Sequence, residues 1–177
     1  MSYGILLLRL VLGLTMAGHG TQKLFGWWGG PGLRGTAGSF AAMHFRAPLA
    51  QAALASSAEL GGGVLLALGL VTPLGALAIT SVMLVAIATV HWSKGFWNSG
   101  GGYEFGLLIA AAAVALAVTG GDRFSLDRAL GWSGSLSGLW WGAGVLAAAA
   151  LAAAATVTLG RRPAQPAPHR DQPLRTA

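Results

Sequence analysis

The stretch "GILLLRLVLGLTMAGHGTQKL", residues 4–24, decides the fold. It is 21 residues of nearly unbroken apolar character, with one arginine, Arg9, near its start. A helix needs about 20 such residues to cross the hydrocarbon core of a bilayer. The stretch does not read as a secretory signal peptide: no basic region precedes it, its apolar run is too long, and no small-x-small cleavage site follows. It ends in a mixed segment, "HGTQKLFGWWGGPG", residues 19–32, where histidine, lysine, aromatics and glycines meet. Such a mixture marks the change from lipid tails to headgroups and water.

The rest of the chain follows the same pattern. Of 177 residues, 54% are hydrophobic and only 9% charged, against about 25% charged in soluble domains. Residues 48–70 and 73–92 make a second and a third span, each opened by a proline where a helix tolerates one. Only Val71 and Thr72 lie between them, so the two form a tight antiparallel hairpin. Residues 103–119 make a fourth. Residues 139–159, rich in alanine, are expected to make a fifth, opened by Trp140 and Trp141 and closed by Arg161 and Arg162. The expected fold class is therefore all-α: a polytopic four-helix transmembrane bundle plus this fifth helix. The expected organisation is a four-span domain over 1–127, the extra helix within 128–160 and a disordered, proline-rich tail over 161–177. Residues 36–45 suggest a short interfacial helix in the first loop.

The net charge of +6 does not point to nucleic acid, because the Lys and Arg residues cluster at span ends and form no basic stripe. Loop parity puts Lys23, Arg34, Arg46, Lys94, Arg161, Arg162, Arg170 and Arg175 on one face. The other face has only Arg123 and Arg128, beside Asp122 and Asp127. The positive-inside rule makes the first face cytoplasmic and the N-terminus external. The chain has no cysteine, which removes disulfides, thiol redox chemistry and thiolate metal sites.

Ionisable residues inside spans are costly and carry the functional argument. Arg9 enters from one side and Glu59 lies near the middle of span two; a long arginine reaching that carboxylate would give a buried ion pair. Spans one and three end alike, in "HGTQKLFGWWGG" from His19 and "HWSKGFWNSGGG" from His91, which suggests two parallel hairpin repeats. His19, Lys23, His91, Lys94 and Glu104 fall on one face, and together they would make a proton-exchanging pocket. Trp27, Trp28, Trp92 and Trp97 anchor that end at the interface, with Lys23 snorkelling toward headgroups. His19, His91 and Glu104 resemble a two-histidine, one-carboxylate set, but no two histidines lie one helical turn apart, so no metal is expected.

The combination of "LLLRLVLG" around Arg9, "HGTQKLFGWWGGPG", "AELGGGVLLALGL" around Glu59, "HWSKGF" and "GGYEFGLL" around Glu104 resembles the DoxX family of small bacterial membrane proteins, over residues 4–127. The resemblance implies a four-helix bundle in the bacterial plasma membrane and an association with membrane redox chemistry, including a relative named as a thiosulfate–quinone oxidoreductase subunit. It supplies no catalytic set to carry over. The leading expectation is a non-catalytic membrane subunit or anchor for redox partners. The alternative is a quinone-linked oxidoreductase subunit using the polar pocket. A proton or small-molecule transporter ranks third, since no span is clearly broken. No cofactor is certain and quinone is the candidate; a homo-oligomer is compatible with the sequence.

Overall fold

A computed structural model describes residues 2–162; the tail expected to be disordered, from residue 163 onward, lies outside the described residues. The chain is helical throughout: α1 (Ser2–Phe25), α2 (Gly32–Ala42), α3 (Pro48–Leu68), α4 (Thr72–Ala86), α5 (Glu104–Thr119), α6 (Leu126–Ala129) and α7 (Leu139–Gly160). α4 continues through a π-helical turn, Ile87–His91, and a 3₁₀ turn to Lys94. Four helices are long and apolar enough to cross a membrane: Tyr3–Phe25, Pro48–Leu68, Thr72–Lys94 and Leu139–Gly160. α5 is apolar but shorter. The interfacial helix expected at 36–45 forms as α2, a little earlier in the chain.

α1 lies against α3, α3 against α4, and α4 against both α5 and α7, while α2 covers the α1–α3 pair. The core gathers Leu12, Met16, Leu66, Ile79, Met83, Ile109, Leu116 and Val145. In lipid the hydrophobic effect does not pull helices together, so close backbone approach by small residues does. α1 and α3 show it: a Cβ on Gly13 would lie 2.5 Å from the Gly63 carbonyl oxygen and 2.6 Å from Ala67 N. One on Gly20 would lie 2.5 Å from Leu60 N.

This antiparallel register decides everything polar. With Gly13 beside Ala67 and Gly20 beside Leu60, Arg9 falls beside Gly69 and Lys23 beside Glu59. The α3–α4 hairpin turns through Gly69 and Val71, both left-handed. Gly69 has a second reason to lack a side chain, because a Cβ there would meet the Arg9 guanidinium carbon at 2.6 Å.

The loops meet at two ends. At one, the chain after α7 ties to the loop between α2 and α3: Arg46 N donates to Gly160 O at 2.6 Å, Arg162 N to His44 O at 2.8 Å and Arg161 Nε to Met43 O at 3.0 Å. At the other, the segment from Gly120 to Gly138 folds back over the α3–α4 hairpin. There Asp127 is fully buried.

Candidate functional site

The expected pair of Arg9 with Glu59 does not form. The register places the two partners about ten residues apart along α3, roughly 15 Å at the α-helical rise, too far for one side chain. Arg9, 1% exposed, instead pairs with Asp122 at 3.1 Å (Nη1 to Oδ1) and donates through Nη2 to the carbonyls of Ala67 and Phe124 at 3.3 and 3.2 Å. Asp122 Oδ1 also accepts from Phe124 N at 3.0 Å. The guanidinium therefore sews α1 to the end of α3 and to the 120–138 segment.

Asp127 does similar work beside it. Its carboxylate accepts from Val71 N at 2.7 Å, Thr72 N at 3.0 Å and Thr72 Oγ1 at 2.7 Å. A helix leaves its first amides unpaired, and here an acid 55 residues away in sequence caps α4. In the sequence Asp122 and Asp127 count only as loop acids beside Arg123 and Arg128, with no link to Arg9 or to the start of α4. The available signal was Arg9 itself, since a buried cation requires an acid at its own depth.

Glu59, 1% exposed, takes Lys23 as its partner, Nζ to Oε1 at 2.6 Å. The lysine does not snorkel out to the headgroups as expected; it reaches inward from α1, with about a third of its side chain still exposed. Charge attraction in a dry interior outweighs hydration of one exposed ammonium when the partner is this close. The other carboxylate oxygen, Oε2, is buried without a hydrogen bond. Three more buried side-chain oxygens share that condition: Ser56 Oγ and Thr80 Oγ1 in this part of the bundle, and Asp122 Oδ2 at the hairpin end, where Arg9 Nε is also unpartnered. Ser56 lies one turn before Glu59 on α3. Gly62 backs onto Gly75, Ala78 and Ile79, so Thr80 on α4 comes level with Glu59. Unsatisfied buried polar atoms are rare, and Glu59 Oε2, Ser56 Oγ and Thr80 Oγ1 lie within about one helical turn of one level. The sequence reading missed Ser56 and Thr80, which only helix register brings level with the acid.

The five-residue pocket is not assembled. Among the described residues no hydrogen bond joins any two of His19, Lys23, His91, Lys94 and Glu104. His19 is exposed, as is Lys94. His91 Nδ1 donates to the Gly101 carbonyl at 2.7 Å, just after the π turn, and so requires a proton on that nitrogen. Glu104 Oε2 accepts from Asn98 N at 3.0 Å. Both residues fold the 95–104 loop, where Tyr103 stacks on Trp92 at 5.3 Å between ring centroids. The two repeat-like span ends also differ in backbone: α1 stays α-helical through His19, whereas α4 loosens to a π turn at His91. No group of three or more His, Asp or Glu among the described residues is arranged to hold a metal ion. Trp27, Trp28, Trp92, Trp97, Trp140 and Trp141 are all exposed at helix ends.

These features define a multi-pass helical membrane protein with a structural arginine clasp at one end and a buried lysine–glutamate pair toward the other. The chain belongs to the DoxX family, whose model matches residues 4–92. That match includes Arg9, Lys23, Ser56, Glu59 and Thr80 but stops before Asp122 and Asp127. A protein of Bacillus subtilis (strain 168) named "Putative oxidoreductase CatD" is 32% identical over 124 residues, covering 70% of this chain and 84% of its own. No solved structure matches.

Proposed function

We propose that this protein is a plasma-membrane subunit of a redox assembly in which a partner protein supplies electrons to a quinone and this chain supplies the protons through Lys23 and Glu59. The observation that carries the reading is the buried Lys23–Glu59 pair with one carboxylate oxygen free. The name of CatD supports the redox setting. Reduction of a quinone to a quinol consumes two electrons and two protons. The electrons come from the partner, and the protons enter from the aqueous edge at Lys23. Quinone, when bound, supplies the electron-accepting ring. Glu59 Oε2 and the Ser56 and Thr80 hydroxyls are buried polar atoms with no other partner, and they are the groups that would meet such a headgroup. Lys23 is ion-paired with Glu59 from the aqueous side. Glu59 is the proton relay of this scheme, with Lys23 on its aqueous side and the unbonded Oε2 on the other. The end carrying Trp27, Trp28, Trp92 and Trp97 is where the electron-donating partner docks.

A purely anchoring subunit is the second reading. It is favoured by His91 and Glu104, whose polar atoms serve the 95–104 loop. The test is retention of a short-chain quinone by protein purified in mild detergent, read by extraction and absorbance. Wild type should hold it, and Glu59→Gln should bind at least about tenfold more weakly, as expected for loss of one charged hydrogen bond. Equal retention by the two proteins, or none by either, would leave the anchoring role alone.

A further inference from the structure

At the hairpin end, away from Glu59, a cavity of about 350 Å³ is lined by Gly121, Asp122, Arg123, Arg128 and Ser133. It contains two guanidiniums and two acids nearby, yet the acids do not neutralise the guanidiniums. Asp122 Oδ1 is taken by Arg9 and by Phe124 N, while its buried Oδ2 has no hydrogen-bond partner and lies within 4 Å of neither Arg123 nor Arg128. Asp127 is taken by Val71 and Thr72. Among the described residues the side-chain ion pairs are Arg9–Asp122 and Lys23–Glu59, so Arg123 and Arg128 have no carboxylate partner. Neither guanidinium donates a hydrogen bond within the described chain. Arg123 is held in place another way, with its guanidinium carbon 5.7 Å from the centre of the Phe124 ring. The Ser133 side chain also makes no hydrogen bond there.

Two exposed arginines without a carboxylate partner and a serine hydroxyl line one cavity, and guanidinium forks of this kind bind a tetrahedral oxyanion with paired hydrogen bonds. The surroundings place the cavity at headgroup depth. Leu126, Leu130 and Trp132 are exposed beside it, and tryptophan at a helix end marks the membrane interface. We propose that this cavity binds a phosphate group, and that the phosphodiester of an anionic phospholipid is its source. The site is independent of Glu59: neither arginine touches that part of the bundle, and the proposal stands whether or not the chain handles quinone.

The test uses the full chain purified in detergent, with phosphatidylglycerol and inorganic phosphate as separate probes, read by native mass spectrometry. Wild type should retain phosphatidylglycerol, and the double variant Arg123→Gln/Arg128→Gln should lose about tenfold or more in affinity. Because these side chains make no hydrogen bond to the fold, the variant should keep the wild-type melting temperature, which separates lost binding from lost structure. Retention of phosphatidylglycerol without competition by phosphate identifies the lipid; binding of phosphate alone keeps the site and makes its ligand a free oxyanion. Arg34→Gln, an exposed arginine at the opposite end, serves as the control for unspecific charge. Equal binding of both probes by wild type and double variant would overturn the proposal, as would an equal loss in Arg34→Gln.

Discussion

Taking a carboxylate out of water costs several kcal/mol, and one good ion pair offsets that only when the remaining lone pairs find partners. Glu59 has its lysine but leaves Oε2 unbonded, so the pair stabilises the fold less than its 2.6 Å geometry suggests. Removing one member is a different matter. Lys23→Leu strands a buried carboxylate and should cost about 3–5 kcal/mol. Lys23→Leu/Glu59→Leu should cost much less than the singles combined, because leucine suits lipid and leaves no lone charge. The checking measurement is a double-mutant cycle on unfolding in detergent, with a second cycle on Arg9→Leu and Asp122→Leu. Both should show coupling of about 1–3 kcal/mol, whereas Arg9→Leu with Glu59→Leu should add within about 0.5 kcal/mol, as independent sites do. Coupling between Arg9 and Glu59 would mean that the α1–α3 register is wrong.

Element boundaries were legible in the sequence because a membrane span is a length and a composition, and both are local. The pairing of charges was not legible, because it depends on where two helices touch. The clue was present in Gly13 and Ala17 facing Gly63 and Ala67, with Gly20 against Leu60: small residues at these spacings set the contact, and the contact sets which charge meets which. A one-turn error in that register, about 5.4 Å, is enough to assign a wrong partner. Two predictions belong at this scale. Gly13→Val would push its side chain into the Gly63 carbonyl, separate α1 from α3, and lower stability by about 3 kcal/mol, at the upper end of overpacking costs. Its Lys23–Glu59 coupling should fall with it. Asp127→Ala would release the Val71 and Thr72 amides together with the Thr72 hydroxyl, and should cost about 2 kcal/mol, the upper range for a helix cap. Amide exchange at residues 71–72 should then rise well before global unfolding, while Asp127→Asn, which keeps one acceptor oxygen, should lie between the two. An Asp127→Ala protein as stable as wild type would remove the cap from the account of the hairpin.

At the scale of the molecule, α7 decides the topology. Without it the tail would change sides and the charge bias between faces would nearly vanish. α7 packs along α4 and α5, and its last residues join the α2–α3 loop through Arg46, Arg161 and Arg162. The chain therefore crosses an odd number of times between the start of α1 and the end of α7, and five helices meet that condition. α5 is the shortest of them, at 16 residues; roughly 24 Å of helix is less than the usual hydrocarbon thickness of about 30 Å, so a crossing by α5 requires the bilayer to thin locally or the flanking loops to enter it. With five crossings, Lys23, Arg34, Arg46, Lys94, Arg161 and Arg162 share one face, and Arg123 and Arg128 lie on the other beside two acids. Basic loops stay in the cytoplasm, so we predict that the N-terminus lies outside, the Lys23 edge of the Glu59 site toward the cytoplasm, and the two-arginine cavity toward the outer leaflet. Since the chain has no native cysteine, single cysteines report the two faces cleanly. An impermeant thiol reagent on intact cells should label Ser135→Cys, in the segment between α6 and α7, and leave Ser39→Cys, on α2, unlabelled until the cells are opened. The reverse pattern would invert the molecule: protons for Glu59 would then enter from the outer side, and a lipid at the arginine cavity would come from the inner leaflet.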